Sequence, residues 1–288
     1  MPLPVKQGVG SSILPLATNN IKFKMIKNLI KKIIPKTIKG KIKTIDINQK
    51  YLYGPHNKKF FKYQFEGVDK IQFNYSQSYQ DLFVLTVLNG KTEGSYLEIG
   101  SGSPTYISNT YLLEQKYGWT GLGIEQNNKL ANEHKKNRKN LVINTDALKF
   151  DYFELDNYLS VSTIDYLQID IEPAENNLKV LKKIPFDKYE FNVITYETDI
   201  YVSSQNKNLA ESARSYIKSF DYVLIKKDVK QNEKVYEDWY VNKKIIDDLT
   251  FPYLFEECIN ANEIFFKNLN SFQNASAIIK YYLKNFFR

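Results

Sequence analysis

The chain has 288 residues and a formal charge of +8, but residues 21–50 alone hold ten Lys against one Asp, so that, once Lys6 is counted, residues 51–288 carry −2. That distribution argues against a globally basic nucleic-acid binder, whose positive charge would line a folded face. A hydrophobic content of 43 % with 15 % aromatics excludes a largely disordered chain, and one Cys with two His excludes an internal disulfide, a Cys-based zinc site and a His-rich metal site.

In chain order, residues 1–20 contain three Pro, two Gly and a single charge, and read as a flexible leader outside the fold. No apolar run is long enough to span a bilayer, and no signal-peptide pattern is present. Within the basic segment 21–50, Phe23, Ile26, Leu29, Ile30, Ile33 and Ile34 recur at helical spacing over residues 22–34. Lys22, Lys24, Lys27, Lys31 and Lys32 take the other faces, and Pro35 stops the helix. Such a helix suits an anionic membrane surface or the protein's own flank. The expected location is cytoplasmic, with peripheral membrane contact through residues 22–34 as an addition to it.

From about residue 75 the pattern alternates. Strands are expected at Ser95–Ile99, Gly121–Ile124, Leu141–Ile143, Ile164–Ile169, Phe191–Tyr196, Tyr222–Ile225 and Val235–Val241. Helices are expected at Ile107–Tyr117, Asn127–Asn137, Pro173–Lys183 and Ala210–Phe220. Strands alternating with ten-residue helices make βαβ units, hence an α/β domain with a mostly parallel sheet. Residues 246–288 read as an apolar, aromatic, helical extension.

The sharpest local signal is Tyr96-Leu-Glu-Ile-Gly-Ser-Gly-Ser-Pro104, a strand running into a Gly-rich turn. Gly100 and Gly102 permit positive-φ backbone and close approach of a ligand at the carboxyl end of the strand. Glu98 at the strand end disfavours an anionic pyrophosphate, and Thr105 stands where a dinucleotide fingerprint needs its third Gly. A nicotinamide-dependent oxidoreductase is therefore disfavoured. A carboxylate there suits a cationic ligand instead, and S-adenosylmethionine carries an ammonium and a sulfonium. Glu125 ends the next strand, at the spacing where an acid holds a ribose diol. Asp146-Ala147 follows the third strand, where an adenine amino group is within reach of an acid, although Asp is also a common cap.

Two further segments place paired acids just past apolar strands: Asp170 with Glu172, and Glu197 with Asp199. In a parallel sheet those ends line one crevice. Converging carboxylates raise one another's pKa and suit a general base for an alcohol. The same four acids are also candidate ligands of a hard divalent cation such as Mg. The structural alternative is that Asp170 and Glu172 cap the helix at Pro173.

Taken as an ordered series, these pieces resemble the FkbM-type family of class I S-adenosylmethionine-dependent methyltransferases. The series is Ser76-Gln-Ser-Tyr-Gln80-Asp81, Glu98-Ile-Gly, Ser108-Asn-Thr, Gly118-Trp-Thr-Gly-Leu-Gly-Ile-Glu125, Asn144-Thr-Asp146-Ala, Asp165-Tyr-Leu-Gln-Ile-Asp170-Ile-Glu172 and Tyr236-Glu-Asp-Trp-Tyr240. The chain departs from the family pattern at Ser103-Pro104, at Pro173 and at Thr198. The resemblance implies a Rossmann-like, doubly wound, mostly parallel seven-stranded sheet with helices on both faces, spanning residues 51–245. It implies S-adenosyl-L-methionine as cofactor, held by Glu98, Gly100, Ser101, Gly102, Ser108, Asn109, Glu125, Asp146, Ala147 and Asp170. It implies O-methylation of a hydroxyl on a glycan or similar small metabolite, with Asp170, Glu172, Glu197 or Asp199 as base. Two other readings are a non-catalytic adaptor on the same fold and an RNA methyltransferase, the latter opposed by the −2 balance of residues 51–288.

Overall fold

Seven stretches rich in β-branched and aromatic residues form strands: β1 Ser95–Ile99, β2 Thr120–Glu125, β3 Leu141–Asn144, β4 Thr163–Ile169, β5 Glu190–Glu197, β6 Tyr222–Gln231 and β7 Lys234–Asn242. They pair into one sheet in the order β3-β2-β1-β4-β5-β7-β6. The first five strands run parallel, and β7 lies antiparallel between β5 and β6. The computed structural model describes residues 61–71, 73–231, 234–246 and 261–265, which fall in one of the chain's two compact units, Tyr51–Asn268. The leader 1–20 and the Lys-rich helix at 22–34 lie outside the described residues.

The helices are α1 Gln80–Val87, α2 Tyr111–Tyr117, α3 Asn128–Asn137, α4 Ala174–Leu181, α5 Asn206–Lys218 and α6 Ala261–Phe265. The periodicity did not reveal α1, because all eight of its residues are buried and it has no polar face to set a period. α2 begins at Tyr111 rather than Ile107, since Ile107 sits at φ +48°, outside the helical region. α4 begins just after Pro173, whose position as N-cap makes no side-chain cap bond. β6 runs on past Ile225 to Gln231, because pairing with β7 continues there through irregular register. Among the described residues no helix is long and apolar enough to cross a membrane.

Alternate residues of the central strands feed two apolar layers, as strand geometry requires. Tyr96 and Tyr166 join the layer that holds α1, α2 and α6, where Phe83 stacks on Trp239 at 4.5 Å between ring centroids. Leu97, Ile99, Leu167 and Ile169 join the other, which holds α4 and α5. Both faces of the sheet are therefore covered. The described part of the C-terminal extension is core material: Ile264 and Phe265 are buried in the first layer. The strand order reverses between β1 and β4, so the crevice outside the carboxyl ends of these two strands is the switch point where such sheets bind ligands.

Candidate active site

The Gly-rich turn opens directly onto that crevice. Gly100 has φ +84°, and a Cβ added there would lie 1.8 Å from the Asp170 carbonyl oxygen. Only glycine lets the end of β1 pass this close to the end of β4. Gly100 and Ser101 donate their N–H groups to the Ile124 carbonyl, at 2.9 and 3.1 Å. Gly102, at φ +57°, is the open member of the turn, since an added Cβ would meet nothing within 4 Å. Its N–H donates to Glu125 Oε2 at 2.8 Å, while Glu125 Oε1 accepts from Asn127 N–H at 2.7 Å. A carboxylate has about four lone-pair sites, so Glu125 keeps acceptor capacity for a ribose diol.

Glu98 is turned inward, with only 2 % of its surface exposed. It accepts from Thr110 Oγ1 at 2.8 Å and from the Asn109 N–H. Burial raises its pKa to about 7, against the pull of Arg138. Glu98 thus supports the stretch after the turn rather than lining the crevice. Ser108 Oγ accepts from Tyr111 N–H at 3.2 Å at the start of α2. The Asn109 side-chain oxygen is buried and has no hydrogen-bond partner, as are those of Gln168 and Thr198 near the same ends of β4 and β5. Orphaned buried acceptors of this kind are rare unless a ligand satisfies them. Asp146 Oδ1 accepts from Leu148 N–H at 2.9 Å, so the residue shapes the turn after β3. Ala147 beside it is buried.

Three of the four predicted acids come together. Asp170 and Asp199 both lie within hydrogen-bond reach of Glu197, and one proton on Glu197 bonds one of them at a time. Two carboxylates can bond each other only through a proton. Burial, then the neighbouring Asp170 charge, push Glu197 well above the usual carboxylate range, and it carries that proton. Burial likewise raises Asp170, and it raises Asp199 to about 6. The two strand ends are tied by Asn177 of α4, which is fully buried. Its Oδ1 accepts from Ile171 N–H at 2.7 Å, and its Nδ2 donates to the Glu197 carbonyl at 3.2 Å. Glu172 is exposed and acts on the cluster only through its charge.

The cation alternative finds no support: among the described residues no group of three or more His, Cys, Asp or Glu is arranged to hold a metal ion. The physical reason is the proton-sharing itself, since acids bonded to one another do not present their lone pairs to a common centre. The capping alternative also fails at the Pro173 N-cap, as described above.

Sequence reasoning missed two parts of the site. Glu237 of β7 lies opposite Glu197 in register and is buried. It accepts from Trp239 Nε1 at 2.7 Å and from Gln80, and burial raises its pKa to about 8. A period-two reading of β7 would have placed Glu237 on the same face as Trp239, two positions on. The other is His134 of α3 with Arg138, the extended residue that follows the helix as its C-cap. The buried face of α3 holds Ala131 and His134, three positions apart.

A doubly wound sheet, an open Gly-rich turn at its switch point and an acid at the next strand end define a Rossmann-like S-adenosylmethionine-dependent methyltransferase. Residues 107–224 match the family model described as methyltransferase FkbM domain. Over those residues the chain is similar to FkbM-type methyltransferases. Several solved structures resemble part of the chain at low identity. One is a human methyltransferase 10 domain containing protein, at 13 % identity and TM-score 0.43, covering 58 % of this chain and 82 % of that one. A second is TrmK of M. capricolum in complex with S-adenosyl-homocysteine, at 19 % identity and TM-score 0.39, covering 56 % and 67 %. A third is Aeropyrum pernix fibrillarin with natively bound S-adenosyl-L-methionine, at 14 % identity and TM-score 0.37, covering 58 % and 74 %. No curated protein matches the chain.

Proposed function

We propose that this methyltransferase transfers its methyl group to a hydroxyl of a glycan or similar polar metabolite, with the Asp170–Glu197–Asp199 cluster as the proton acceptor. The observation that carries the reading is the chain of carboxylates at the ends of β4 and β5, beside the cofactor turn. S-adenosylmethionine supplies an activated methyl on sulfur, whose leaving group needs no protonation. What remains for the protein is orientation and removal of one proton from the acceptor oxygen. Gly100, Gly102, Asn109 and Glu125 hold the cofactor: Gly100 by letting the turn pass, Gly102 by its open side, Asn109 by its free buried oxygen and Glu125 by its spare acceptor sites. Glu197 is protonated at neutral pH and so is not itself the base. Asp170, which adjoins the turn, takes the proton at its carboxylate, and the bond to Glu197 spreads the charge. Asp199 lends a second acceptor for the hydroxyl.

The net negative cluster disfavours a polyanionic acceptor such as RNA and suits a neutral hydroxyl. The test is transfer of labelled methyl to a panel of glycans by the full chain. D170N and E197Q should each lower kcat by about 10²-fold or more while S-adenosylhomocysteine binding is kept. Since the base works ionised and burial raises Asp170, kcat/KM should rise with pH through a value above the usual carboxylate range. Undiminished transfer by both variants would remove the carboxylate base. Transfer only to amines or RNA would remove the hydroxyl acceptor.

A further inference from the structure

The C-terminal end of α3 brings together two buried side chains that proton removal does not use, His134 in the helix and Arg138 at its C-cap. His134 and Arg138 face the loop that runs from the Gly-rich turn to α2. His134 Nε2 lies 3.1 Å from the Gly102 carbonyl oxygen. Burial, and then the charge of Arg138, hold its pKa below the ordinary value. A carbonyl only accepts, so the neutral ring carries its proton on Nε2 and donates. The Gly102 peptide is therefore gripped on both sides, its N–H by Glu125 at 2.8 Å and its oxygen by His134.

Arg138 spends its whole fork. Nε donates to Glu114 Oε2 at 2.6 Å. One terminal nitrogen donates to the Pro104 carbonyl at 3.0 Å and Ser108 Oγ at 3.2 Å. The other donates to Thr110 Oγ1 at 2.9 Å and the Tyr96 hydroxyl at 3.0 Å. Pro104, Ser108 and Thr110 all belong to the loop, and Thr110 passes the bond on to Glu98. Glu114 alone would neutralise the charge. The remaining four bonds fix positions, and a planar five-donor group makes them where an ammonium does not.

We propose that His134 and the C-cap Arg138, at the end of α3, form a clamp that orders the 101–110 loop before S-adenosylmethionine arrives. Both are positioning residues that set cofactor affinity without touching the cofactor. A Gly-containing loop loses much conformational freedom on binding, and ordering it beforehand removes that loss from the binding equilibrium. α3 also starts right after Glu125, so one helix registers the ribose acid against the turn. The inference rests on the reading of this loop as the cofactor turn.

The test uses the full chain and S-adenosylhomocysteine as probe, with calorimetric titration and amide hydrogen exchange. H134F loses the donor, and its Kd should rise about tenfold. H134Q keeps an amide donor and should stay within about threefold of wild type. R138K keeps the charge but not the fork, and should also lose about tenfold or more. In steady state the KM for S-adenosylmethionine should rise while kcat at saturation holds. Wild-type affinity in H134F, or equal losses in H134F and H134Q, would overturn the clamp. If the variants do not fold, exchange on the wild type decides. Amides of 101–110 already protected in the free protein support the proposal, and protection that appears only with the probe overturns it. Failure of the wild type to bind at all would sink the cofactor reading instead, and exchange on the free protein would still judge the clamp.

Discussion

Gly100 stands where any side chain would run into the Asp170 carbonyl, and its φ of +84° is one that L residues avoid. Replacing it by Ala adds positive-φ strain to a backbone collision that no rotamer relieves. G100A should cost about 3 kcal/mol, which for a domain of this size lowers Tm by about 6–12 °C, as read by calorimetry. A melting point within 2 °C of wild type would contradict the close passage of β1 and β4. At this scale the sequence was partly legible. The glycines, Glu125 and the acids past the parallel strands could be singled out because each sits at a strand end. The orientation of Glu98 was not, because its partners Thr110 and Arg138 come from other elements. Nor was the protonation of Glu197, which depends on how near Asp170 falls.

α4 shows how one helix can serve the site without lining it. Asn177 bonds the backbone past β4 with one atom and past β5 with the other, and it is fully buried. N177L would leave one N–H and one C=O buried without partners. We expect a loss of about 2–3 kcal/mol by denaturant unfolding, with kcat falling more than affinity for S-adenosylhomocysteine. A kcat matching wild type would show that the spacing of the two strand ends does not matter. α1 plays a comparable part for β7. Asp81 gathers the N–H groups of Tyr75, Ser76 and Leu82, and Gln80 reaches the Tyr236 hydroxyl at 3.3 Å. The Ser76–Asp81 motif thus docks α1 against β7, close to Glu237.

Across the whole molecule, the buried acids set an unusual pH dependence. Burial raises Asp81 to about 6, Glu98 to about 7 and Glu237 to about 8. In the folded state these groups keep protons that the unfolded chain loses above about pH 4–5. Stability therefore falls as pH rises through that window, by about 1.4 kcal/mol per pH unit for each group still protonated only when folded. Tm should be higher at pH 5.5 than at pH 8.5. E237Q should flatten this slope, raising Tm at pH 8.5 and leaving it nearly unchanged at pH 5.5. A wild-type Tm that climbs from pH 5.5 to 8.5 would contradict the burial of these acids.

By itself the sequence determined the class of fold, the seven strands in chain order and the Gly-rich turn after the first of them. It could do so because these follow from local periodicity, from glycine's freedom of φ and from acids at strand ends, all of which are written within a few residues. It also located the positive charge in residues 21–50, away from residues 51–288, which sum to −2. Only the tertiary structure decided which acids lie together, that Glu237 of an antiparallel strand lies opposite Glu197, and that His134 and the C-cap Arg138 at the end of α3 bond the loop that begins at the Gly-rich turn. Those facts depend on distances between residues 25 to 70 positions apart in the chain. Such distances are fixed by how the sheet and helices pack, and desolvation inside that packing sets the protonation of the site.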